Sequence, residues 1–241
     1  MTANSKYGIE FNGLRSDGLG LTVINPKEIG FPSKNKIVQS LPFSNTIIDL
    51  SEMYGGQSYS ERKLKFTFLI VESDRFDKNA LYTQWTKTVN WLMGANHKVK
   101  LKDDVMSDYY YLGEVQEAPS WDEYVRHGKF TVEFICYPFR IYELAEGNDI
   151  WDTFNFELDI AQITEYTVVG SRIVTLYNVG QNQANPQIVA TAPFEITTNG
   201  QNYTIPAGTI ESPDFVLNQG ETTMTIKGNG KISFNWHKEL I

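Results

Sequence analysis

Residues 108–115 read DYYYLGEV, three consecutive tyrosines directly behind an aspartate. Phenols beside a carboxylate are compatible with a catalytic pair, with a platform for sugar binding, or with a β-strand. Aromatic residues favour strands because they cover a half-buried pleated surface. Since successive side chains of a strand alternate between its faces, Tyr109 and Tyr111 are predicted to share one face and Tyr110 to lie on the other. Asp108 then fits the turn that leads into the strand, and we favour this interpretation over a sugar platform.

Runs with β character flank this stretch on both sides. HKVKLK (97–102) precedes it, and GKFTVEFICYPFR (128–140) follows after a polar connection, QEAPSWDEYVRH (116–127). Further upstream, RKLKFTFLIV (62–71) alternates basic and apolar residues before becoming wholly apolar, which is typical of a strand that enters a core. HKVKLK, the tyrosine stretch and GKFTVEFICYPFR are joined by turns, and together they predict an antiparallel meander.

One segment departs from the β pattern and predicts an amphipathic helix over residues 75–93. Ser73 or Asp74 can cap its start, and Gly94 is predicted to adopt the left-handed conformation after its last turn. The residues that recur at helical spacing are Leu81, Trp85, Thr88, Val89 and Leu92.

The composition and periodicity of the sequence change after Arg140. IYELAEGNDIWD (141–152) has the acidic, aperiodic composition of a linker, and only short strands at regular spacing follow it, which predicts a β-sandwich. Asn199-Gly200 and Gly228-Asn229-Gly230 are predicted to be tight turns. The expected fold is therefore mainly β with one helix: an amino-terminal antiparallel domain at residues 1–143 and a carboxy-terminal sandwich at 150–241.

Composition restricts the classes of function. The 241 residues carry a net charge of −8, which disfavours binding to nucleic acid or anionic lipid through a basic face. The chain has one cysteine, so it cannot form an internal disulfide. The amino terminus lacks the layout of a signal peptide, and no apolar run approaches the length of a membrane span. We therefore expect a soluble protein that is not exported through such a signal.

Catalytic and metal-binding patterns are not evident. His97, His127 and His237 stand alone, without the spacing of zinc or iron ligands. Cys136 is in phase with Phe134 on one face of a strand, so we interpret it as a small buried hydrophobe. The sequence contains neither a nucleophile elbow nor a phosphate-binding loop.

Carboxylates in loops leave a glycosidase pair as a minor alternative. The acids considered are Asp103, Asp104, Asp122 and Glu123. We predict no catalytic, cofactor-binding or metal-binding residues, no cofactor, and a protein that is not an enzyme.

Several stretches, in order, resemble the distal tail proteins of long-tailed bacteriophages. They are GGQSYSERKLKFTFLI (55–70), the helix ending in WLMG (91–94), DYYYLGEV (108–115) and GKFTVEFICYPFR (128–140). The opening YGIEFNGLRSDGLGL (7–21) is similar to the first hairpin of that family. Beyond about residue 145 the resemblance is architectural, since the family often carries a galectin-like or carbohydrate-module-like sandwich there.

This resemblance implies a structural protein of the virion, at the tail tip or baseplate. It implies a hexameric ring whose amino-terminal domains surround a DNA channel and join the major tail tube protein to the hub protein. The carboxy-terminal domains would project outward and hold receptor-binding or baseplate proteins, and assembly would take place in the host cytoplasm. An acidic chain suits such a channel, because negative walls would let DNA slide.

Residues 25–60 fit this picture as an arm that needs a partner, with an ordinary surface loop as the alternative. The segment is polar but punctuated by Ile37, Leu41, Phe43, Ile47 and Ile48.

A lectin-like module that recognises host surface glycans through the carboxy-terminal sandwich is the alternative function. Trp151 and Trp236 are its candidate stacking residues, since indole faces suit sugar rings, although both could instead fill the core. A glycoside hydrolase is a third option.

Overall fold

The computed structural model describes residues 7–53, 56–71, 78–124 and 127–241. The chain divides into two compact units, one that runs to Arg140 and includes Ile241, and one that spans residues 141–240. Both consist of antiparallel strands, and the described residues contain one α-helix, so the predicted fold class is confirmed. No helix within these ranges is both long enough and apolar enough to cross a membrane.

In its described residues the first unit contains a main sheet, a sheet of two strands, one helix and two short 3-10 turns, at Asp17–Leu19 and Asp104–Met106. Its strands and helix are β1 (Ile9–Phe11), β2 (Leu14–Arg15), β3 (Leu21–Ile29), β4 (Val38–Ser40), β5 (Ile47–Asp49), β6 (Arg62–Val71), α1 (Lys78–Met93), β7 (Val99–Asp103), β8 (Tyr109–Glu114), β9 (Ser120–Glu123) and β10 (His127–Cys136).

The main sheet of this unit has the strand order β2-β1-β7-β8-β10-β6-β3, which contains the predicted meander β7-β8-β10. β10 and β6 are paired along their full lengths, from His127 opposite Val71 to Cys136 opposite Arg62. Every second residue of β10 is buried, as the alternation in the sequence requires. The opposite face is accessible to solvent, and on it Lys63 Nζ lies 2.6 Å from Glu133 Oε1.

The tyrosine stretch is the central strand β8, as predicted. Tyr109 and Tyr111 are buried, whereas Tyr110 is half-buried on the other face. Each ring lies near a cation: the Arg140 guanidinium is 5.1 Å from the Tyr109 ring and the Arg62 guanidinium 5.0 Å from the Tyr111 ring. Since both inward-facing rings are buried among side chains, this strand is not a sugar platform.

The helix α1 ends at Met93, as predicted, and its predicted start and caps at residues 73–77 lie outside the described residues. Leu81 and Leu92 are buried, and Trp91 Nε1 donates to the carbonyl oxygen of Phe11 at 3.0 Å. Gly94 does not adopt the predicted left-handed conformation. A Cβ at this position would instead lie 2.7 Å from the Asn90 carbonyl oxygen, so a close backbone approach explains the glycine.

The stretch at 116–127 was expected to be a polar connection between strands, but part of it forms β9, which pairs with β10. The Trp121 ring stacks on the Trp85 ring at 4.4 Å. A Cβ on Gly128 would lie 1.8 Å from the Trp121 ring, so glycine is required beneath it. One aromatic residue in a polar segment is too weak a signal to predict a strand.

The second unit is a β-sandwich. β11 (Arg140–Tyr142) and β18 (Glu239–Leu240) pair with each other outside its sheet. The strands of the sandwich are β12 (Glu165–Asn178), β13 (Gln187–Ala190), β14 (Phe194–Thr198), β15 (Gln201–Ile205), β16 (Gly208–Ile210) and β17 (Gly220–Asn235). Asn199 and Gly200 have positive φ values of 49° and 75° and form the predicted tight turn between β14 and β15.

Two long strands belong to both layers of the sandwich. β12 pairs with β17 from Glu165 opposite Ser233 to Asn178 opposite Gly220. The first half of β17 pairs with β14 and the second half with β13, and side chains of both halves enclose one apolar core. The strands therefore turn the corner between the layers without interruption.

Gly228-Asn229-Gly230 forms this corner, so the prediction of a tight turn there was wrong. Gly228 and Gly230 have φ values of 147° and 148°, and opposite them Gly170 has a φ of 75°. A Cβ on Gly228 would lie 2.5 Å from the Phe194 ring. Glycine is needed here because the bent strand approaches its neighbour closely, not because the chain reverses.

Candidate functional site

The three histidines have different environments. His97 and His237 are exposed, and the half-buried His127 stacks on Tyr124 with ring centroids 4.6 Å apart. His237 Nδ1 is 2.9 Å from the carbonyl oxygen of Tyr142. Among the described residues, no three His, Cys, Asp or Glu side chains form a group that could hold a metal ion.

Three of the four candidate glycosidase acids are bound to cations. Asp104 accepts two hydrogen bonds of 2.9 Å from the Arg15 guanidinium, which hold the pKa of this carboxyl below its usual range. Glu123 accepts from Tyr82 Oη at 2.6 Å and lies 3.0 Å from Lys78 Nζ, and these contacts lower its pKa too. A general acid needs a raised pKa, so neither group is suited to that role.

The third of them, Asp103, belongs to a polar cluster that the sequence did not reveal, whereas the fourth acid, Asp122, is exposed on β9. Tyr7 Oη donates to Asp103 Oδ1 at 2.8 Å, and Lys27 Nζ donates to Tyr7 Oη at 2.6 Å and also pairs with Asp103. Burial, followed by the contact with Asp103, raises the pKa of Tyr7 above its usual range. The three side chains satisfy one another, so they tie the start of the chain to β3 and β7.

Cys136 is fully buried under Gly113, as predicted. A Cβ on Gly113 would lie 2.6 Å from Cys136 Sγ. Burial raises the pKa of this thiol to about 12, so the thiolate required of a nucleophile is not formed at neutral pH.

The predicted arm at residues 25–60 starts later than expected, because Leu21–Ile29 is strand β3. We use the name arm for residues 31–53 and 56–60, most of which are exposed. At its base, Asn35 N donates to Ser58 O and Ser60 N to Ser33 O, both at 2.9 Å. Beyond the base, β4 and β5 pair with each other in a sheet of two strands. A hairpin of two strands is only marginally stable in water, so packing against another surface would stabilise it.

Apolar side chains of the arm point into solvent. Phe43 is as exposed as in an extended chain (111%), and Ile47 retains 65% of its accessible surface. The exposed large apolar residues of the arm are Phe31, Ile37, Val38, Leu41, Phe43, Ile47, Ile48 and Met53. Concentrated apolar exposure of this kind marks interaction surfaces in soluble proteins.

The tip of the arm holds its aromatic residue in an unfavourable backbone conformation. Ser44 N donates to the carbonyl oxygen of Leu41 at 3.3 Å, which closes a turn with Pro42 and Phe43 at its centre. Phe43 has a φ of 59°, a conformation that glycine or asparagine adopts at lower cost. Such strain, of order 1–3 kcal/mol, tends to persist where the residue has a role.

The ion pair at the base of the hairpin stabilises its shape. Lys36 Nζ donates to Asp49 Oδ2 at 2.8 Å, and Asp49 Oδ1 accepts from Ser51 N at 2.9 Å. These hydrogen bonds, that of Lys36 foremost, hold the pKa of Asp49 well below its usual range. The arm is therefore a defined hairpin rather than an irregular loop.

The two candidate stacking tryptophans of the second unit have different environments. Trp236 is 4% exposed and belongs to the core, so it cannot stack on a ligand. Trp151 is 63% exposed and lines a cleft of about 600 Å³.

Comparisons with known proteins give a fold but no sequence relative. No protein-family model matches the chain, and no curated protein is similar to it. The crystal structure of the Dit (gp 19.1) protein of phage SPP1 is similar with a TM-score of 0.66 and 12% identity, over 98% of this chain and 100% of that one. That protein is described as a paradigm of the hub adsorption apparatus in phages that infect Gram-positive bacteria.

The phage p2 baseplate in its activated conformation with Sr is a more distant likeness. It covers 97% of this chain and 97% of the matched chain, with a TM-score of 0.43 and 8% identity. This chain has the fold of the SPP1 Dit protein over nearly its whole length, so the resemblance to distal tail proteins is confirmed at the level of fold.

Proposed function

We propose that this protein is a structural subunit of a phage tail tip or baseplate, and that six copies form a ring. The observation that carries the proposal is the arm: an isolated hairpin with exposed apolar side chains, in a chain with the fold of the SPP1 Dit protein. A second copy of the chain is the partner that a homo-oligomer always supplies, and a head-to-tail contact that closes generates a ring.

The contact that we propose is heterologous: the arm of one subunit packs on the first unit of the next. Burial of Phe43, Ile47 and their apolar neighbours would then drive assembly. The neighbour would also complete the hydrogen bonding at the open edges of β4 and β5, which lack strand partners outside the hairpin among the described residues.

In this proposal the role is non-enzymatic. The ring joins the tail tube protein to the hub protein, DNA passes through its channel, and the sandwich units, which we propose are galectin-like, carry receptor-binding or baseplate proteins. The protein is assembled in the host cytoplasm and becomes part of the virion. The net charge of −8 supports a channel with negative walls along which DNA slides, and a lumen lined by Lys and Arg would contradict this part.

Electron microscopy of the purified chain in negative stain tests the proposal. We expect ring-shaped particles with a central hole and six-fold symmetry in class averages. Compact particles without a hole would contradict the ring. The double variant Phe43→Asp, Ile47→Asp distinguishes a ring held by this hairpin from one held by other contacts.

A further inference from the structure

The cleft at Trp151 differs from the arm because it combines one open aromatic ring with polar side chains. Its volume of about 600 Å³ is within the range of ligand-binding sites. Its walls are the chain at 147–151 and at 161–165, and its floor includes Ser233 and Asn235 of β17. We propose that this cleft binds a neutral saccharide, with the ring of Trp151 as the stacking surface.

Two side-chain amides that hydrogen-bond to the backbone fix the walls of the cleft. Asn148 Nδ2 donates to the carbonyl oxygen of Ala145 at 2.8 Å, and Asn148 Oδ1 accepts from Ile150 N at 3.1 Å. On the other wall, Gln162 Nε2 donates to Tyr177 O at 2.8 Å and Gln162 Oε1 accepts from Tyr177 N at 2.9 Å. These amides hold the two walls in place, so the cleft is organised before a ligand arrives.

The indole is also held in position while most of its surface stays open. Its ring centroid is 5.0 Å from that of Phe154, whose ring is in turn 5.1 Å from that of Phe156. Trp151 nevertheless keeps 63% of its accessible surface. A rigid, exposed indole suits the C–H face of a sugar ring, because it offers a flat apolar surface at low entropic cost.

Three polar side chains of the cleft have hydrogen-bonding capacity to spare. Asp149, Ser233 and Asn235 make no side-chain hydrogen bond with another residue in the part of the chain that the structure describes. Together they offer a carboxylate, a hydroxyl and an amide, which can both donate to and accept from sugar hydroxyls.

The charge of the lining selects among ligand classes. Asp149 and Glu165 line the cleft, and Glu165 Oε1 lies 3.4 Å from Lys231 Nζ, which offsets its charge. Among the described residues the lining itself contains no lysine, arginine or histidine, which disfavours phosphates and acidic polysaccharides. A lipid chain would leave the polar side chains without partners. A neutral molecule with many hydroxyls and one apolar face brings no negative charge into the cleft and gives the polar side chains hydrogen-bonding partners. This inference does not depend on the ring.

Saturation-transfer-difference NMR on the full-length chain tests the proposal, because the method detects weak binding to monomers and rings alike. The probes are maltotriose, cellotriose, triacetylchitotriose and lactose at millimolar concentration. We expect saturation of sugar ring protons by the native chain for at least one probe. Trp151→Ala and Asn235→Ala change exposed side chains. Each variant should bind the probe with about tenfold lower affinity, measured from the dependence of the signal on probe concentration.

The matched control is Val169→Ala, which removes an exposed apolar side chain of the same unit outside the cleft and should leave binding unchanged. The proposal is overturned if none of the four probes is saturated, or if Trp151→Ala binds the probe as tightly as the native chain does. Unchanged melting temperatures of the variants show that any loss arises at the cleft rather than from unfolding.

Discussion

The arm gives a direct test of how the subunits assemble. In the double variant Phe43→Asp, Ile47→Asp, two side chains that contact solvent in the single subunit are replaced by charges. Aspartate tolerates the positive φ of 59° at position 43 better than phenylalanine does, so the hairpin itself is not strained by the change. We therefore expect the double variant to fold as the native chain does.

The size of the effect follows from the exposure of the two residues. Phe43 is 111% exposed and Ile47 65% exposed, so the whole side chain of Phe43 and most of that of Ile47 are available to a neighbouring subunit. Full burial of a side chain of this kind contributes about 1.5–3 kcal/mol, and two contribute ~3–6 kcal/mol per arm. That loss weakens each contact by roughly 10²–10⁴-fold, before the cost of desolvating the new carboxylates is added.

Sedimentation velocity at a series of protein concentrations measures the result. We expect the native chain to sediment as a hexamer and the double variant as a folded monomer. Val169→Asp, an exposed apolar position in the second unit, is the matched control and should remain hexameric. A double variant that still sediments as the native hexamer would refute the role of the arm.

Three further predictions concern the stability and reactivity of the subunit. The side chains of Lys238 and Asp159 are 1% and 8% exposed, so Lys238→Ala should cost about 3–5 kcal/mol in urea unfolding, and Lys238→Met combined with Asp159→Leu should recover most of it. Burial raises the pKa of Glu146 in the folded chain, so the charged form of this carboxyl destabilises the fold. Its protonated form contributes stability that is fully present below the pKa of Glu146 in the unfolded chain. That stability is lost as pH rises through the pKa of Glu146 in the folded chain. Glu146→Gln, which keeps an acceptor for Gln162, should melt higher than the native chain at pH 7 and equally at pH 4; a lower melting temperature at pH 7 would contradict this sign. Cys136, with its pKa raised to about 12, should not react with Ellman's reagent at pH 8 until denaturant is added, and rapid reaction of the folded chain would show that the thiol is accessible.

Patterns with a short period predicted the strands and the helix well. The faces of Tyr109 and Tyr111, the burial of Cys136 and the end of the helix at Met93 all follow from side-chain periodicity, which depends on a few neighbouring residues. The meander was predictable for the same reason, since its strands follow one another closely in sequence.

Features that depend on distant residues could not be predicted. Gly228 resembles a turn glycine, and only its approach to Phe194 shows that it bends a continuous strand. The contact between Tyr7 and Asp103 joins residues 96 positions apart, and no local pattern signals it. Trp236 and Trp151 are equivalent in the sequence, whereas the structure buries one and exposes the other.

Native mass spectrometry of the purified full-length chain tests the central claim most directly. The account predicts a dominant species with six times the mass of the chain, which the Phe43→Asp, Ile47→Asp variant converts to single subunits. A native chain that remains monomeric or dimeric at every concentration tested would contradict the proposed ring.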